Sequence, residues 1–294
     1  MTSALEVETI RDTETLARLL PDWWDLWKRS PATTPFQSPP WLLAWWEAFE
    51  PGRLSTVAIR DRCGLVALAP FYLENSHSGK RLLPVGISLS DYMDVLVRPG
   101  ATEGISVITD RLALCPSWEI CEMGGLLPGA AALALPCPSD CSDKTEDDEV
   151  CPVLDLPPGP VDAGSHPAIP APQRRKLRMA RHRLERTASA AILAARDLSH
   201  RSWVNALIRL HTTRWEERGM PGVLADPRVQ AFHHASVPGL IEHGLARLFA
   251  VRIGNEIAGV YYGFSDRGRA YAYLGGFDPR FAYYSPGTVL LGHA

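Results

Sequence analysis

Residues 245–292 read LARLFAVRIGNEIAGVYYGFSDRGRAYAYLGGFDPRFAYYSPGTVLLG, and this stretch decides the fold. It contains three consecutive segments rich in β-branched and aromatic residues, at 248–253, 257–264 and 269–276. Gly254-Asn255 joins the first two segments and is typical of a hairpin turn. The polar residues 265–268 form a second turn before the third segment. The stretch therefore predicts a three-stranded antiparallel sheet.

After a short loop, the third strand leads into a helix start. Ser285 stands at a cap position, Pro286 at the first helical position, and Gly287 leaves backbone N–H groups accessible to an anion. This is the arrangement that an acyl-CoA transferase needs, with the pyrophosphate on the N–H groups and the pantetheine arm along the last strand. The residues expected to bind the donor are Leu274, Gly275, Gly276, Ser285, Gly287 and Thr288. A helix N-terminus contributes only about 0.3–2 kcal/mol, whereas micromolar binding needs about 8 kcal/mol, so the strand edge must supply most of the affinity.

Several segments resemble the GNAT acetyltransferases of the CelD/BcsL (cellulose biosynthesis) and FemAB-like branch. They are PFQSPPWLLAWWEAF (35–49), GLVALAPF (64–71), SDYMDVLV (90–97), LHTTRWEERGMPGVL (210–224), YLGGFDP (273–279) and SPGTVLL (285–291). The resemblance implies an acyl-CoA-dependent N- or O-acyltransferase that uses acetyl-CoA, needs no metal and transfers the acyl group directly in a ternary complex. It further implies a small-molecule or saccharide acceptor and a role in polysaccharide or cell-envelope biosynthesis.

The chain of 294 residues has room for two domains. We expect an N-terminal GNAT-like lobe at 1–156, a proline-rich linker at 157–172 and a C-terminal GNAT lobe at 173–294. The fold class is α+β (α/β): tandem lobes with mixed, mostly antiparallel sheets flanked by helices. The first lobe looks degenerate, since no Gly-rich helix start follows its fourth strand.

The second lobe looks truncated, because the family continues beyond this helix with further strands. The outer edge of the third strand would then be unpaired, and the helix after Ser285 would be short. We therefore expect weak protection of residues 286–294 and self-association of the chain. A non-catalytic, degenerate or truncated GNAT-like protein with a binding or scaffolding role is the alternative to the enzyme.

The remaining elements follow from hydrophobic periodicity and turn residues. Helices are expected at 14–29, 41–49, 101–114, 173–186, 200–218 and 226–243, the last capped by Asp226. Strands are expected at 4–10, 54–60, 65–71, 118–122, 150–156 and 190–195, together with an interrupted strand region at 81–97. The Trp41, Trp45 and Trp46 stripe is either core or a stacking platform, and core is the commoner outcome.

The catalytic candidates are His211, Tyr283 and Tyr284. His211 is the histidine that could accept the proton of the acceptor, although a histidine on a mostly apolar helix is more often a core residue. Tyr283 and Tyr284 precede the helix start and could donate to the thiolate or carbonyl, or merely pack.

The candidate acceptor-binding residues come from both lobes. Arg214 and Trp215 resemble the family's Arg-Trp pair; the arginine could hold a carboxylate or phosphate, or pair with Glu217. Asp91, Tyr92 and Asp94 follow a strand of the first lobe and could line a cleft between the lobes, although Asp91 could equally be a turn residue.

The basic segment QRRKLRMARHRLER at 173–186 carries seven lysine and arginine residues. It could attract the phosphates of CoA or another anion, or it could be a solvated helix with an apolar stripe. Its apolar face is short and has no aromatic anchor, which argues against binding at a membrane surface.

Composition excludes several other classes. The net charge of −3 gives no global attraction for nucleic acid, and 46% hydrophobic residues with 21% charged residues fit a soluble globular protein. No signal peptide or membrane-spanning run is visible, so we expect a cytoplasmic protein. Six cysteines without a Cys-x-x-Cys pair favour reduced thiols over a zinc site.

Overall fold

The computed structural model describes residues 5–76, 79–114, 118–157, 159 and 161–294. Contacts along the chain divide it into unit 1, Met1–Val150, and unit 2, Cys151–Ala294. Both units combine helices with mostly antiparallel strands, as the sequence predicts.

The described residues of unit 1 form two four-stranded sheets and four α-helices. The helices are α1 (Thr13–Arg18), α2 (Leu20–Arg29), α3 (Pro39–Phe49) and α4 (Glu103–Ala113). The strands are β1 (Glu6–Ile10), β2 (Arg53–Leu54), β3 (Thr56–Asp61), β4 (Gly64–Ala69), β5 (Phe71–Ser76), β6 (Gly79–Pro84), β7 (Leu96–Val97) and β8 (Ile120–Cys121). One sheet has the order β1-β3-β4-β7 and the other β2-β5-β6-β8, in which β6 and β8 are parallel.

The tryptophans of α3 belong to the core of unit 1. Trp41, Trp45 and Trp46 are all buried. The indole N–H of Trp41 donates to Ser90 Oγ at 2.9 Å, and that of Trp46 donates to Thr13 Oγ1 at 3.0 Å. Each bond gives a buried indole N–H an acceptor and so helps to fix α3 in place. The stripe is therefore core and not an exposed stacking platform.

Unit 2 is one four-stranded antiparallel sheet with helices on both faces. Its helices are α5 (Ala171–Glu185), α6 (His200–Glu216), α7 (Pro227–Glu242) and α8 (Pro286–Leu291). Its strands are β9 (Ala190–Ala194), β10 (Ala246–Ile253), β11 (Glu256–Asp266) and β12 (Arg269–Phe277), in the order β12-β11-β10-β9.

Two neighbouring glycines of the sheet show which helices lie on which face. A Cβ atom added at Gly276 of β12 would meet the backbone of α6, and one added at Gly259 of β11 would meet the side chains of Pro286 and Leu290 in α8. Helix α7 lies on the same face as α6, because the ring centroids of His233 in α7 and Tyr262 in β11 are 5.7 Å apart. Helix α5 lies on the same face as α8, because both contribute to one apolar cluster with the sheet.

Most predicted elements are confirmed within a few residues, including the hairpin at Gly254-Asn255 and the Asp226 cap, whose side chain accepts from the Arg228 N–H. The predicted helix 14–29 is instead two helices that meet at Leu19, because Pro21 stands in the first turn of α2, where no intrahelical N–H is needed. The predicted hairpin of strands 54–60 and 65–71 is formed by β3 and β4. The outer ends of the two predicted strands, Leu54 and Phe71, belong instead to β2 and β5 in the other sheet.

Residues 150–156 are not a strand, contrary to the prediction. They are exposed, apolar side chains such as Val150 and Val153 included, and they pair with no described strand. Pro152 in their middle lacks the N–H that a strand ladder needs. Residue 4 of the first predicted strand lies outside the described residues. The loop expected after β12 is a 3₁₀ helix, Pro279–Tyr284.

Helix α8 has six residues, as short as predicted, and it is packed against α5 and the sheet. The weak protection of residues 286–294 and the self-association of the chain stay predictions. Val289 and Leu290 are each 1% exposed, within the cluster shared with α5 and the sheet. The Arg181 guanidinium of α5 donates to the carbonyl of Gly292 at 2.6 Å, just beyond the end of α8. Tertiary packing therefore supplies the stability that a helix of this length lacks alone.

Candidate functional site

The outer edge of β12 is open in unit 2, since β12 pairs only with β11 among the described strands. The Asp278 N–H donates to the Ala258 carbonyl, and hydrogen-bonded and non-bonded positions alternate along an antiparallel pair. Gly276 and Leu274 therefore point their backbone groups at β11. Gly275 and Phe277 point theirs to the open edge, where an extended ligand could pair with them.

The register of β12 shifts at one point along this edge. Tyr262 pairs with Leu274 and Gly263 pairs with Ala272, so the register shifts by one residue at Tyr273. Such a bulge bends the strand and turns its following residues, Gly275 among them, relative to the first half of β12.

Gly276 has a packing role that differs from the predicted ligand contact. A Cβ atom at this position would lie 2.6 Å from the backbone nitrogen of His211 and 2.6 Å from the carbonyl carbon of Leu210. Helix α6 therefore crosses β12 at a distance that only glycine permits. The backbone groups of Gly276 point to β11 and its Cα faces α6, so a ligand cannot reach this residue. The backbone groups of Gly275 point to the open edge of β12.

The C-terminal half of α6 brings three predicted site residues together beside this strand. The ring centroids of His211 and Trp215 are 5.9 Å apart, and both rings pack on Gly222. The Arg214 Cζ atom lies 5.6 Å from the centroid of Phe277, a residue of the open edge. Arg214 is therefore the predicted acceptor-binding residue that contacts the edge directly.

His211 is a poor general base in this environment. It is 3% exposed, and its Nδ1 atom has no hydrogen-bond partner in the described part of the chain. Burial, with a contribution from the charge of Arg214, lowers the pKa of His211 to about 4. A base is most effective when its pKa lies near the working pH. The prediction that His211 takes the proton is therefore not supported by its surroundings.

The start of α8 offers fewer free donors than the sequence predicts. Ser285 adopts a left-handed conformation with φ 48° and makes no side-chain cap bond, because the preceding 3₁₀ helix ends on it. The N–H groups of Thr288 and Val289 both donate to the Ser285 carbonyl. Gly287 is thus the residue of this turn that keeps an N–H without a partner among the described residues, and its exposed Cα leaves that N–H accessible.

Tyr283 and Tyr284 differ in exposure and in contacts. Tyr283 is 65% exposed, its carbonyl accepts from Arg183 Nη1 at 2.8 Å, and the Arg183 Cζ atom lies 4.6 Å from its ring centroid. Tyr284 packs against the apolar cluster below α8. Tyr283 is therefore the one of the two that an acceptor or donor could reach from solvent.

The loop that carries these tyrosines is fixed by Asp278. Its carboxylate accepts from the backbone N–H of Arg280 at 3.0 Å and from the guanidinium of the same residue at 2.7 Å. These bonds hold the pKa of Asp278 below its usual range. Arg280 also pairs with Glu256 at the start of β11, which ties the loop back to the sheet.

An open pocket of about 530 Å³ lies between α5 and the start of α8. Its lining residues are Ala171, Pro172, Arg175, Lys176, Met179, Arg183 and Ser285. Sequence reasoning found the basic helix and Ser285 separately, but it did not find that they share a pocket. The spacing of Arg175, Met179 and Arg183, four residues apart, was the signal that these residues lie on one helical face.

The predicted residues of unit 1 have mainly structural partners. The Asp94 carboxylate accepts from the backbone N–H groups of Val95, Ala131 and Ala132 at 2.8–3.1 Å. Burial raises the pKa of Asp94 although these three bonds oppose the shift. The carbonyl of Tyr92 accepts from Gln37. The carboxylate of Asp94 therefore stabilises the backbone of its own unit.

Asp91 differs from its neighbours in being exposed. The protein around its carboxyl group still shields that group in part from water, and this desolvation raises the pKa of Asp91 to about 6. The proposed location of Asp91, Tyr92 and Asp94 in a cleft between the units stays a prediction.

Two classes of site are not found in the described residues. No group of three or more histidine, cysteine, aspartate or glutamate side chains there could hold a metal ion. Within the same residues, no helix combines the length and apolar character needed to span a membrane.

Comparison with known proteins finds a similarity in the C-terminal part of the chain. Residues 171–294 match the family model described as an acetyltransferase (GNAT) domain. The crystal structure of FemX is similar over 98% of this chain and 84% of that chain, with 11% identity and a TM-score of 0.62. A tandem GNAT protein from the clavulanic acid biosynthesis pathway aligns over the same shares, with 15% identity and a TM-score of 0.41. No curated protein matches significantly.

Residues 171–294 are therefore similar to a GNAT acetyltransferase domain, and the fold of nearly the whole chain is similar to that of FemX. The narrower assignment to the CelD/BcsL branch stays a prediction. At 11% identity, the likeness to FemX concerns the fold alone.

Proposed function

We propose that unit 2 is an acyl-CoA-dependent N- or O-acyltransferase, with acetyl-CoA as the donor. The observation that supports this proposal is the match of residues 171–294 to a GNAT acetyltransferase domain, whose last strand, β12, has an open edge in this chain. Gly275 and Phe277 would pair with the pantetheine arm, and Gly287 would donate its N–H to the pyrophosphate.

The residues present fit such a donor in two respects. The open edge offers backbone groups at Gly275 that no side chain obstructs, and the adjacent pocket carries the cations Arg175, Lys176 and Arg183. The thioester supplies an activated acyl carbon. In direct transfer, the amine or hydroxyl of the acceptor attacks this carbon, the C–S bond breaks, and the thiolate leaves with the proton of the nucleophile passing to a base.

The roles of the chain's own residues then follow from their positions. Arg214 would hold an anionic group of the acceptor beside Phe277, with Trp215 packing behind it. Tyr283 would donate to the leaving sulfur or the carbonyl from its exposed position. Since His211 is buried with a low pKa, we assign it to the support of α6 on β12, and water takes the proton that the attacking nitrogen or oxygen releases.

The unsuitability of His211 as a general base also favours a second candidate function. A non-catalytic protein that binds an acyl-CoA or a related ligand, in a scaffolding role, needs the pocket and the open edge but no proton acceptor. The buried environment of His211 is the observation that favours this alternative.

Finer parts of the proposal rest on the resemblance of the sequence. We propose two GNAT-like lobes at 1–156 and 173–294 joined by the segment 157–172, a saccharide or small-molecule acceptor, a role in polysaccharide or cell-envelope biosynthesis, and a cytoplasmic location.

Release of free thiol from acetyl-CoA tests the enzymatic proposal. The full chain is incubated with acetyl-CoA and one acceptor of each class: an amino sugar, a sugar without an amine, and a small amine. Time-dependent thiol release with one class, and none without acceptor, is the expected result. Binding of acetyl-CoA without release for any class would instead favour the non-catalytic alternative.

Gly287→Ala locates the reaction in the structure. An added Cβ would meet no heavy atom closer than Phe277 Cδ1 at 3.9 Å, so the variant should fold normally. A methyl group beside the free N–H should nevertheless weaken acetyl-CoA binding about tenfold, a loss of one good charge-assisted hydrogen bond. Unchanged affinity would show that the donor does not approach this turn.

A further inference from the structure

The cations of α5 divide into two sets with different partners. The first set holds the preceding segment on the helix: Arg174 Nη1 donates to the carbonyls of His166, Pro167 and Ile169, and Arg178 Nη1 donates to that of Gly164. Arg181 pairs with Asp162 and also donates to Gly292. These three arginines are structural.

The second set, Arg175, Lys176 and Arg183, lines the open pocket. Arg175 and Lys176 are exposed and pair with no carboxylate in the described ranges. The helix contains a single acidic residue, Glu185, at its last position. No carboxylate of the helix therefore lies within one turn of Arg175 or Lys176 to neutralise them. Arg183 is held in place by Tyr283, within the same pocket as Ser285.

The distance along the helix suggests two separate anionic groups. Arg183 lies beside the loop that precedes α8, and Arg175 and Lys176 lie about two turns away, roughly 11–12 Å at 1.5 Å per residue. Long arginine and lysine side chains shorten this separation, which leaves room for two phosphate groups that are joined through one ribose. Met179 between the cations offers an apolar contact for the ribose or the base.

We infer that the Arg175–Lys176 pair binds the 3′-phosphate of the adenosine end of CoA, while Arg183 lies next to the pyrophosphate. This inference rests on the proposed function and deepens it, because it makes α5 the element that selects a 3′-phosphorylated donor. The structural set, Arg174, Arg178 and Arg181, takes no part in binding.

Calorimetric titration of the full chain with CoA and with dephospho-CoA, which lacks the 3′-phosphate, tests the inference. Wild type should bind CoA about tenfold more tightly, the effect of one charge-assisted phosphate contact. Arg175→Gln/Lys176→Gln should lose about that factor for CoA and leave dephospho-CoA affinity unchanged, so that the two ligands bind equally. The preference of wild type should also shrink as the salt concentration rises.

Arg186→Gln/Arg196→Gln is the matched control, because it removes the same charge from exposed positions outside the pocket. It should keep the full preference for CoA. An equal loss in the control, or an equal loss for both ligands in the pocket variant, would overturn the inference, since either result would mean general attraction. CoA binding that the pocket variant leaves intact would overturn the inference alone. Absence of CoA binding to wild type would contradict the proposed function as well.

Discussion

Replacing Gly276 with alanine tests how closely α6 packs on β12. The added Cβ would lie 2.6 Å from His211 N, 2.6 Å from Leu210 C and 2.8 Å from Leu210 O. Carbon atoms pack at about 3.5–4.0 Å, so the helix and the strand must separate by about 1 Å. All three obstructing atoms belong to the backbone, and none can move aside by a side-chain rotation.

Overpacking of this kind typically costs about 1–3 kcal/mol, and we expect the upper part of that range because the helix must move as a whole. For a unit of this size each kcal/mol lowers the melting temperature by about 2–4 °C, so the transition of unit 2 should fall by roughly 4–12 °C. Differential scanning calorimetry measures it, with Gly287→Ala as the control. An unchanged transition in Gly276→Ala would refute the close packing of α6 on β12.

Three further predictions concern stability. Asp94→Ala should lower the free energy of unfolding by about 2 kcal/mol or more, because it leaves backbone N–H groups without acceptors, whereas Asp91→Ala should change it by less than about 0.5 kcal/mol; equal effects in urea denaturation would contradict this. Between pH 6.5 and 4 the unfolded chain binds a proton that folded His211 does not, so stability should fall as the pH drops, by up to about 1.4 kcal/mol per pH unit for this residue. His211→Gln should flatten this dependence, and a slope identical to that of wild type would refute the low pKa. Asp278→Ala should free the loop 279–284 and speed hydrogen exchange at Val289 and Leu290; exchange as slow as in wild type would show that the loop does not hold α8.

The sheet of unit 2 could be predicted because its signals are local. Gly254-Asn255 fixes the turn between β10 and β11, and the alternation of apolar residues along the strands sets the buried face. The cap of α7 at Asp226 is equally local, since a carboxylate and the proline after it suffice to start a helix.

The role of Gly276 could not be predicted from its neighbours. Gly275 and Gly276 look alike in sequence, but the Cα of Gly276 faces the backbone of α6, whereas the register points the backbone groups of Gly275 to the open edge. Which of them meets α6 depends on the bulge at Tyr273 and on where α6 crosses the strand, and both are properties of the tertiary fold.

The division of the cations of α5 into two sets could not be predicted for a similar reason. The sequence analysis treated the cations of 173–186 as one set, yet Arg174 and Arg178 bind carbonyls of a segment without regular structure. No periodicity marks that segment, so the partners of these arginines are not visible in the sequence. The left-handed conformation of Ser285 likewise depends on the 3₁₀ helix before it, which the sequence analysis treated as a loop.

The most direct test of the central claim is a calorimetric titration of the full chain with acetyl-CoA. The account predicts saturable binding of one molecule per chain with a dissociation constant well below 1 mM, corresponding to more than about 4 kcal/mol, and a weaker constant in Gly287→Ala. No heat of binding at millimolar acetyl-CoA, from a chain that calorimetry shows to be folded, would contradict it.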